Sequence, residues 1–92
     1  MKYFNWNKEK NLKLKIERDI SFETILLQIE NGNLLDILEH PNKDKYPDQK
    51  ILVVEYQSYA YLVPLIESEE EYFLKTIIPS RKATKQYLGD KK

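Results

Sequence analysis

The spacing of apolar residues marks one helix before any other element. Phe22, Ile25, Leu26 and Ile29 stand at i, i+3, i+4 and i+7 and form a single buried stripe. Ser21 precedes them as an N-cap, and Glu23 sits in the first turn. Ile20 and Ile25 occupy the two positions of a hydrophobic staple, and Gly32 is placed to close the helix in a left-handed turn. Further along, the period shortens to that of strands, predicted over Leu34 to Glu39, Lys50 to Tyr56, Tyr59 to Ile66 and Tyr72 to Ile78. The run from Lys50 to Tyr56 is apolar on both faces and belongs inside the sheet. In the last strand, alternation puts Phe73 and Ile77 on one face and Leu74, Thr76 and Ile78 on the other.

The connections carry their own signals. Gln57-Ser58 is a tight turn, and Glu67 to Glu71 makes an acidic one. His40 to Gln49 is a polar loop with two prolines, about ten residues long and so longer than a hairpin needs. Pro64 inside the third strand implies a bulge or an edge position. Tyr3, Phe4 and Trp6 read as a short strand or an aromatic anchor on the core. The segment from Lys8 to Arg18 fits two patterns. Leu12, Leu14 and Ile16 alternate as in a strand, whereas Leu12 and Ile16 in a Lys-, Glu- and Leu-rich run also fit a helix. A short closing helix is predicted from Arg81 to Leu88, stopped by Gly89. Helical segments followed by a meander of strands indicate the α+β class.

Composition narrows the picture. Residues 1–92 make one domain, large enough to bury somewhat over 60 % of its unfolded surface. With no cysteine there is neither a disulfide nor thiolate chemistry, and a single histidine argues against zinc. No metal or cofactor is expected. No apolar run approaches the ~20 residues of a membrane span, and the start lacks a signal-peptide pattern, so a cytoplasmic location is expected by default. Fifteen cations balance fifteen anions, which weighs against a nucleic-acid partner. The charges are segregated, however. Residues 1–18 carry six Lys or Arg against two Glu, residues 81–92 carry five against one Asp, and acids gather at Glu67, Glu69, Glu70 and Glu71. A basic face arises if the two chain ends meet.

The densest candidate chemistry lies at Ile77 to Lys85. Pro79 stops the last strand and Ser80 caps the next helix. Arg81, Lys82 and Lys85 then place three cations against the helix dipole, a cost that a bound anion would relieve and that solvation would merely tolerate. His40 titrates near neutrality and ends a strand beside Glu39, as a candidate acid or base or as a plain loop histidine. Lys50 could reach a phosphate or simply flank its strand. Tyr46 could stack on a base or cap its own loop.

The segment Ile78-Pro79-Ser80-Arg81-Lys82-Ala83-Thr84 resembles the closing motif of the BrnT family of bacterial toxins, with Pro79-Ser80 in place of Ser-Ala. Phe4-Asn5-Trp6-Asn7 with Lys8 and Asn11 is similar to that family's opening pattern, and Ile20-Ser21-Phe22-Glu23 to its helix start. The three matches keep the family's order and span nearly the whole chain. The resemblance implies a RelE-like fold: two N-terminal helices, a four-stranded antiparallel sheet and a short C-terminal helix. It implies a toxin that cleaves RNA without a metal, neutralised by a ribbon-helix-helix antitoxin and reaching operator DNA only through that complex. Arg81 matches the motif arginine and is the candidate for phosphorane stabilisation, with His40 and Lys50 as the other candidate catalytic residues. Lys82, Lys85, Lys75 and Tyr46 are the candidate RNA contacts. The chain departs from the family where Arg18-Asp19 replaces a His-Gly pair and where Thr76 replaces an arginine. A non-catalytic protein that binds an antitoxin-like partner is the competing expectation, and a transcription-regulating nucleic-acid module is a weaker third.

Overall fold

A computed structural model describes residues 2–89. The elements run β1 (Tyr3–Trp6), α1 (Lys8–Arg18), α2 (Phe22–Glu30), β2 (Leu34–Glu39), β3 (Gln49–Tyr56), β4 (Tyr59–Glu67), β5 (Glu71–Leu74), β6 (Ile78–Pro79) and α3 (Arg81–Ala83). From α3 the chain continues as a wider π-type turn over Thr84–Leu88. The fold is α+β, as expected. Two features of the expected sheet are corrected. It is mixed rather than purely antiparallel, because β1 joins it parallel to β5, giving the order β1-β5-β4-β3-β2. The last expected strand is also divided, with β5 and β6 pairing separately along one edge of β4.

Pro64 is the physical reason for that division. Leu65 pairs with Leu74, whereas Leu62 pairs with Ile78, so three steps on β4 face four on its partner. Pro64 has no amide hydrogen to donate, while its carbonyl accepts from Lys75 N at 2.8 Å. The extra residue resets the alternation. Leu74 and Ile77, expected on opposite faces, are both fully buried in the same core.

The β3–β4 hairpin turns through Gln57 and Ser58, at φ of 54° and 64°. Two left-handed residues match the twist of an antiparallel pair and fix its register from Tyr56↔Tyr59 to Gln49↔Ile66. Alternation then sends Leu52 and Val54 to one face and Val53 to the other, all three buried. On the first face, Leu52, Val54, Val63, Leu65, Leu74 and Ile77 pack against Leu14, Phe22 and Ile25 of the helices. On the second, Val53 and Ala60 pack against Ala83, with Leu35, Leu62 and Tyr87 around them.

α1 is a helix, capped by Asn7, whose side chain accepts from Lys10 N at 2.9 Å. It ends at Asp19 in the left-handed region, φ 56°. Its buried side is not the Leu12 and Ile16 stripe, which is 59 % and 77 % exposed, but Asn11 and Leu14. Asn11 Oδ1 accepts from Phe22 N at 2.8 Å and Nδ2 donates to Glu23 Oε1 at 2.8 Å, tying α1 to the first turn of α2. The side chain thereby satisfies an amide that no helical carbonyl can reach. Among the described residues, no helix is long and apolar enough to cross a membrane.

Replacing Asn11 by Ala leaves the buried Phe22 amide without a partner and is expected to cost about 1–3 kcal/mol. The measurement is the urea midpoint, which should fall with the slope unchanged. Asn11→Asp keeps the acceptor for Phe22 but sets a carboxylate against Glu23, so it too should destabilise; a wild-type midpoint in both variants would remove Asn11 from this role.

Candidate functional site

The β6–α3 junction is pinned to the sheet by a compact set of bonds. Ser80 N donates to Ala60 O at 3.0 Å, and Ser80 Oγ accepts from Ala83 N at 3.0 Å. Thr84 Oγ1 donates to Ser80 O at 2.8 Å and accepts from Ala60 N at 2.9 Å. One turn on, Tyr87 Oη donates to Asp36 Oδ2 at 2.7 Å; this bond raises the phenol's pKa, since the hydroxyl must keep its hydrogen to donate it. Arg81 and Lys82 thus project from a backbone fixed to β4 and β2. Both are exposed, as are Lys85 and, at the bulge, Lys75. Among the described residues, none of these four takes part in an ion pair.

A further cation reaches the segment that leads into this junction. Arg18, at the end of α1, donates from its guanidinium to Ile77 O at 2.7 Å, four positions before Arg81. Among the described residues, the two basic segments thus touch only through Arg18 and the chain before Ser80, since α1 and α2 pack on one face of the sheet and Ala83 on the other. Pro79 and the bulge leave that carbonyl free of a ladder partner, and Arg18 takes it. The sequence marked Arg18 only as a departure from a motif; nothing local to it signals a contact with a residue 59 positions away.

The other candidates lie elsewhere. Lys50 pairs across the sheet with Leu65, whereas Ser80 is bonded to Ala60. Five residues of extended chain separate those two positions, about 17 Å at ~3.3 Å per residue. Arg81 and Lys50 thus belong to opposite ends of β4 and do not form one catalytic centre. His40 shares the Lys50 end, its amide donating to Gln49 O at 3.2 Å. Its Nδ1 accepts from Asn42 N at 3.0 Å, leaving Nε2 as the outward nitrogen, and its ring packs on Tyr46 with centroids 4.6 Å apart. Tyr46 is half-buried in this loop, with Lys45 Nζ 5.6 Å from its ring centroid.

Lys50 itself is engaged. Its Nζ lies 2.5 Å from Glu67 Oε1, and Lys2 bonds the other oxygen of the same carboxylate. The two ammonium groups, Lys2 first and then Lys50, hold the Glu67 carboxyl down to about 2. Glu67 in turn raises the Lys50 pKa. This clasp was missed at the sequence level, where Glu67 counted only as part of an acidic turn. The signal was present in the two-residue turn at Gln57-Ser58. It sets Lys50 opposite Leu65 and so places Glu67 two residues on, along the same face.

Because the folded carboxyl of Glu67 titrates below its ordinary 4.5, the clasp stabilises the fold fully above that value and is lost as pH falls toward about 2. The melting temperature of the wild type should therefore drop more steeply across pH 4.5 to 2 than that of Glu67→Gln, which should already be less stable at neutral pH. Parallel pH profiles for the two proteins would show that the clasp contributes nothing to stability.

No family model, curated protein or solved structure matches this chain.

Proposed function

We propose that this chain is the toxin of a toxin–antitoxin pair, a metal-independent endoribonuclease neutralised by a ribbon-helix-helix antitoxin. The observation that carries the proposal is the β6–α3 junction. There, three exposed cations, Arg81, Lys82 and Lys85, without ion-pair partners among the described residues stand on pinned backbone, with Lys75 at the bulge four positions along β4 and Arg18 bonded to Ile77 O. The motif resemblance at Ile78–Thr84 falls on the same residues. A single-stranded RNA laid along the junction meets Lys75, Lys82 and Lys85 as phosphate contacts. In the reaction, a ribose 2′-hydroxyl gives its proton to solvent water and attacks the adjacent phosphorus, and the 5′-oxygen leaves with its bond to phosphorus broken and takes a proton from water. The phosphorane between them carries added negative charge on its equatorial oxygens. The planar fork of Arg81 donates to two such oxygens at once, and the bonds fixing Ser80 and Thr84 hold its backbone in place beforehand. His40 and Lys50 have no part in this centre, and operator DNA is reached only through the antitoxin complex.

A second reading is favoured by a different observation: the one histidine and Lys50, which is bonded to Glu67, stand at the far end of the sheet from Arg81. In that reading the chain keeps the toxin fold and binds an antitoxin-like partner without cleaving RNA.

Purified protein incubated with RNA in EDTA separates the two. Under the first reading the wild type cleaves, and Arg81→Ala loses about 10²–10³ in rate at an unchanged melting temperature. Retained cleavage in Arg81→Ala removes that residue from the mechanism. Intact RNA with the wild type, together with tight binding of a ribbon-helix-helix protein, selects the second reading.

A further inference from the structure

The helical layer covers only part of the sheet. α2 has nine residues, about 13 Å at ~1.5 Å per residue, against eight residues in β3, about 26 Å at ~3.3 Å per residue. Ile29, near its C-terminal end, and Leu34, which follows in β2, both line the opening that remains. The rung of Ile37 opposite Leu52 is left open, and Ile37 is 52 % exposed although it lies on the helix side. What results is a cavity of about 260 Å³, floored by Leu52 and Leu65 and walled by Ile29, Ile37, Phe4 and Tyr72. That is the room of eight or nine waters at ~30 Å³ each, and it approaches the lower end of small-ligand sites, ~300 Å³.

The Lys50–Glu67 pair supplies the polar end of this cavity. Glu67 has one oxygen on Lys2 and the other on Lys50, so its charge is already matched by two cations. Lys50 donates to Glu67 alone among the described residues, which leaves two of its three N–H groups without a protein acceptor. Glu39, its cross-strand neighbour, is paired outward with Lys43 at 3.2 Å. Glu69 and Glu70 are exposed on the turn beyond Glu67 and do not line the cavity. The lining thus offers unused donors beside an apolar body of fixed size. We propose that the cavity binds a small amphiphilic monocarboxylate, its tail against Leu52 and Leu65 and its carboxylate on the Lys50 ammonium. The site lies on the helix side of the sheet, at the end away from Arg81, and does not depend on the RNA proposal.

The test is an NMR titration of the full chain, followed at the methyl groups of Ile29, Ile37, Leu52 and Leu65, with octanoate, octanol and octylamine as matched probes. Octanoate should give saturable shifts with a Kd at least about tenfold below that of octanol, the size expected of charge-assisted bonds, and octylamine should not saturate. Lys50→Met should reduce octanoate to the octanol level, while Lys13→Met on the exposed side of α1 should change nothing. Ile37→Trp, which fills the mouth from a half-exposed position, should abolish binding of both octanoate and octanol and serves where Lys50→Met does not fold. Absence of saturation by octanoate, octanol or octylamine binding as tightly, or undiminished octanoate binding in either site variant would overturn the proposal.

Discussion

Gln57 and Ser58 hold left-handed backbone, and the rest of the sheet is counted from them. A two-residue turn of this hand allows one register for its strands, so it decides at once which side chains of β3 and β4 share a face. Val53 and Ala60 go to the α3 side. Leu52, Val54, Val63 and Leu65 go to the helix side, with Lys50 and Glu67 at the far end of the same row. A slip of one residue would expose Leu52 and Val54 beside α3 and set the Lys50 clasp against nothing. Both the core and the charged end of the cavity therefore rest on two non-glycine residues at positive φ, a conformation uncommon enough to be held by the ladder around it.

Pro64 is the second constraint, and it acts by subtraction. By withholding one donor it forces an extra residue into the opposite strand. The bulge turns Ile77 inward beside Leu74, frees the Ile77 carbonyl for Arg18, and ends pairing early enough for Ser80 to start a new turn on Ala60. Each consequence is local, and together they assemble the basic junction. Arg81 owes its position to a proline seventeen positions upstream as much as to the Ser80 cap beside it.

What could be read from the chain follows from how local each determinant is. The helix at Phe22, the hairpin at Gln57-Ser58 and the break at Pro64 are specified within a few residues and were legible. The parallel seating of β1 on β5 joins segments some 68 positions apart, Tyr3 with Glu71, and no periodicity in a four-residue strand announces its direction. In α1 the apolar residues misled: Leu12 and Ile16 satisfy helical spacing, yet the contact that docks the helix is polar, through Asn11, and hydropathy cannot rank an asparagine as core. At the proposed site, the Ser80 cap and the cations that follow it were legible because their cause is local. The distance of His40 and Lys50 from them is set by the length of β4, which no residue near Arg81 announces.

The zero net charge deserves the same treatment, since it weighed against an RNA partner. It is a sum over two poles. One end of the sheet gathers Arg81, Lys82, Lys85 and Arg18, while the opposite end carries Glu69 and Glu70 and the carboxylate of Glu67 between two lysines, with Lys75 bonded at Pro64 in between. Those ends stand about 17 Å apart along β4, roughly twice the ~8 Å over which physiological salt screens exposed charge. A phosphate at the junction therefore feels little of Glu67, Glu69 and Glu70. For a chain folded this way, the quantity that bears on nucleic-acid binding is the charge within one screening length of the site, where Arg81, Lys82 and Lys85 stand against Glu55, opposite Ala60, and Asp36, bonded to Tyr87.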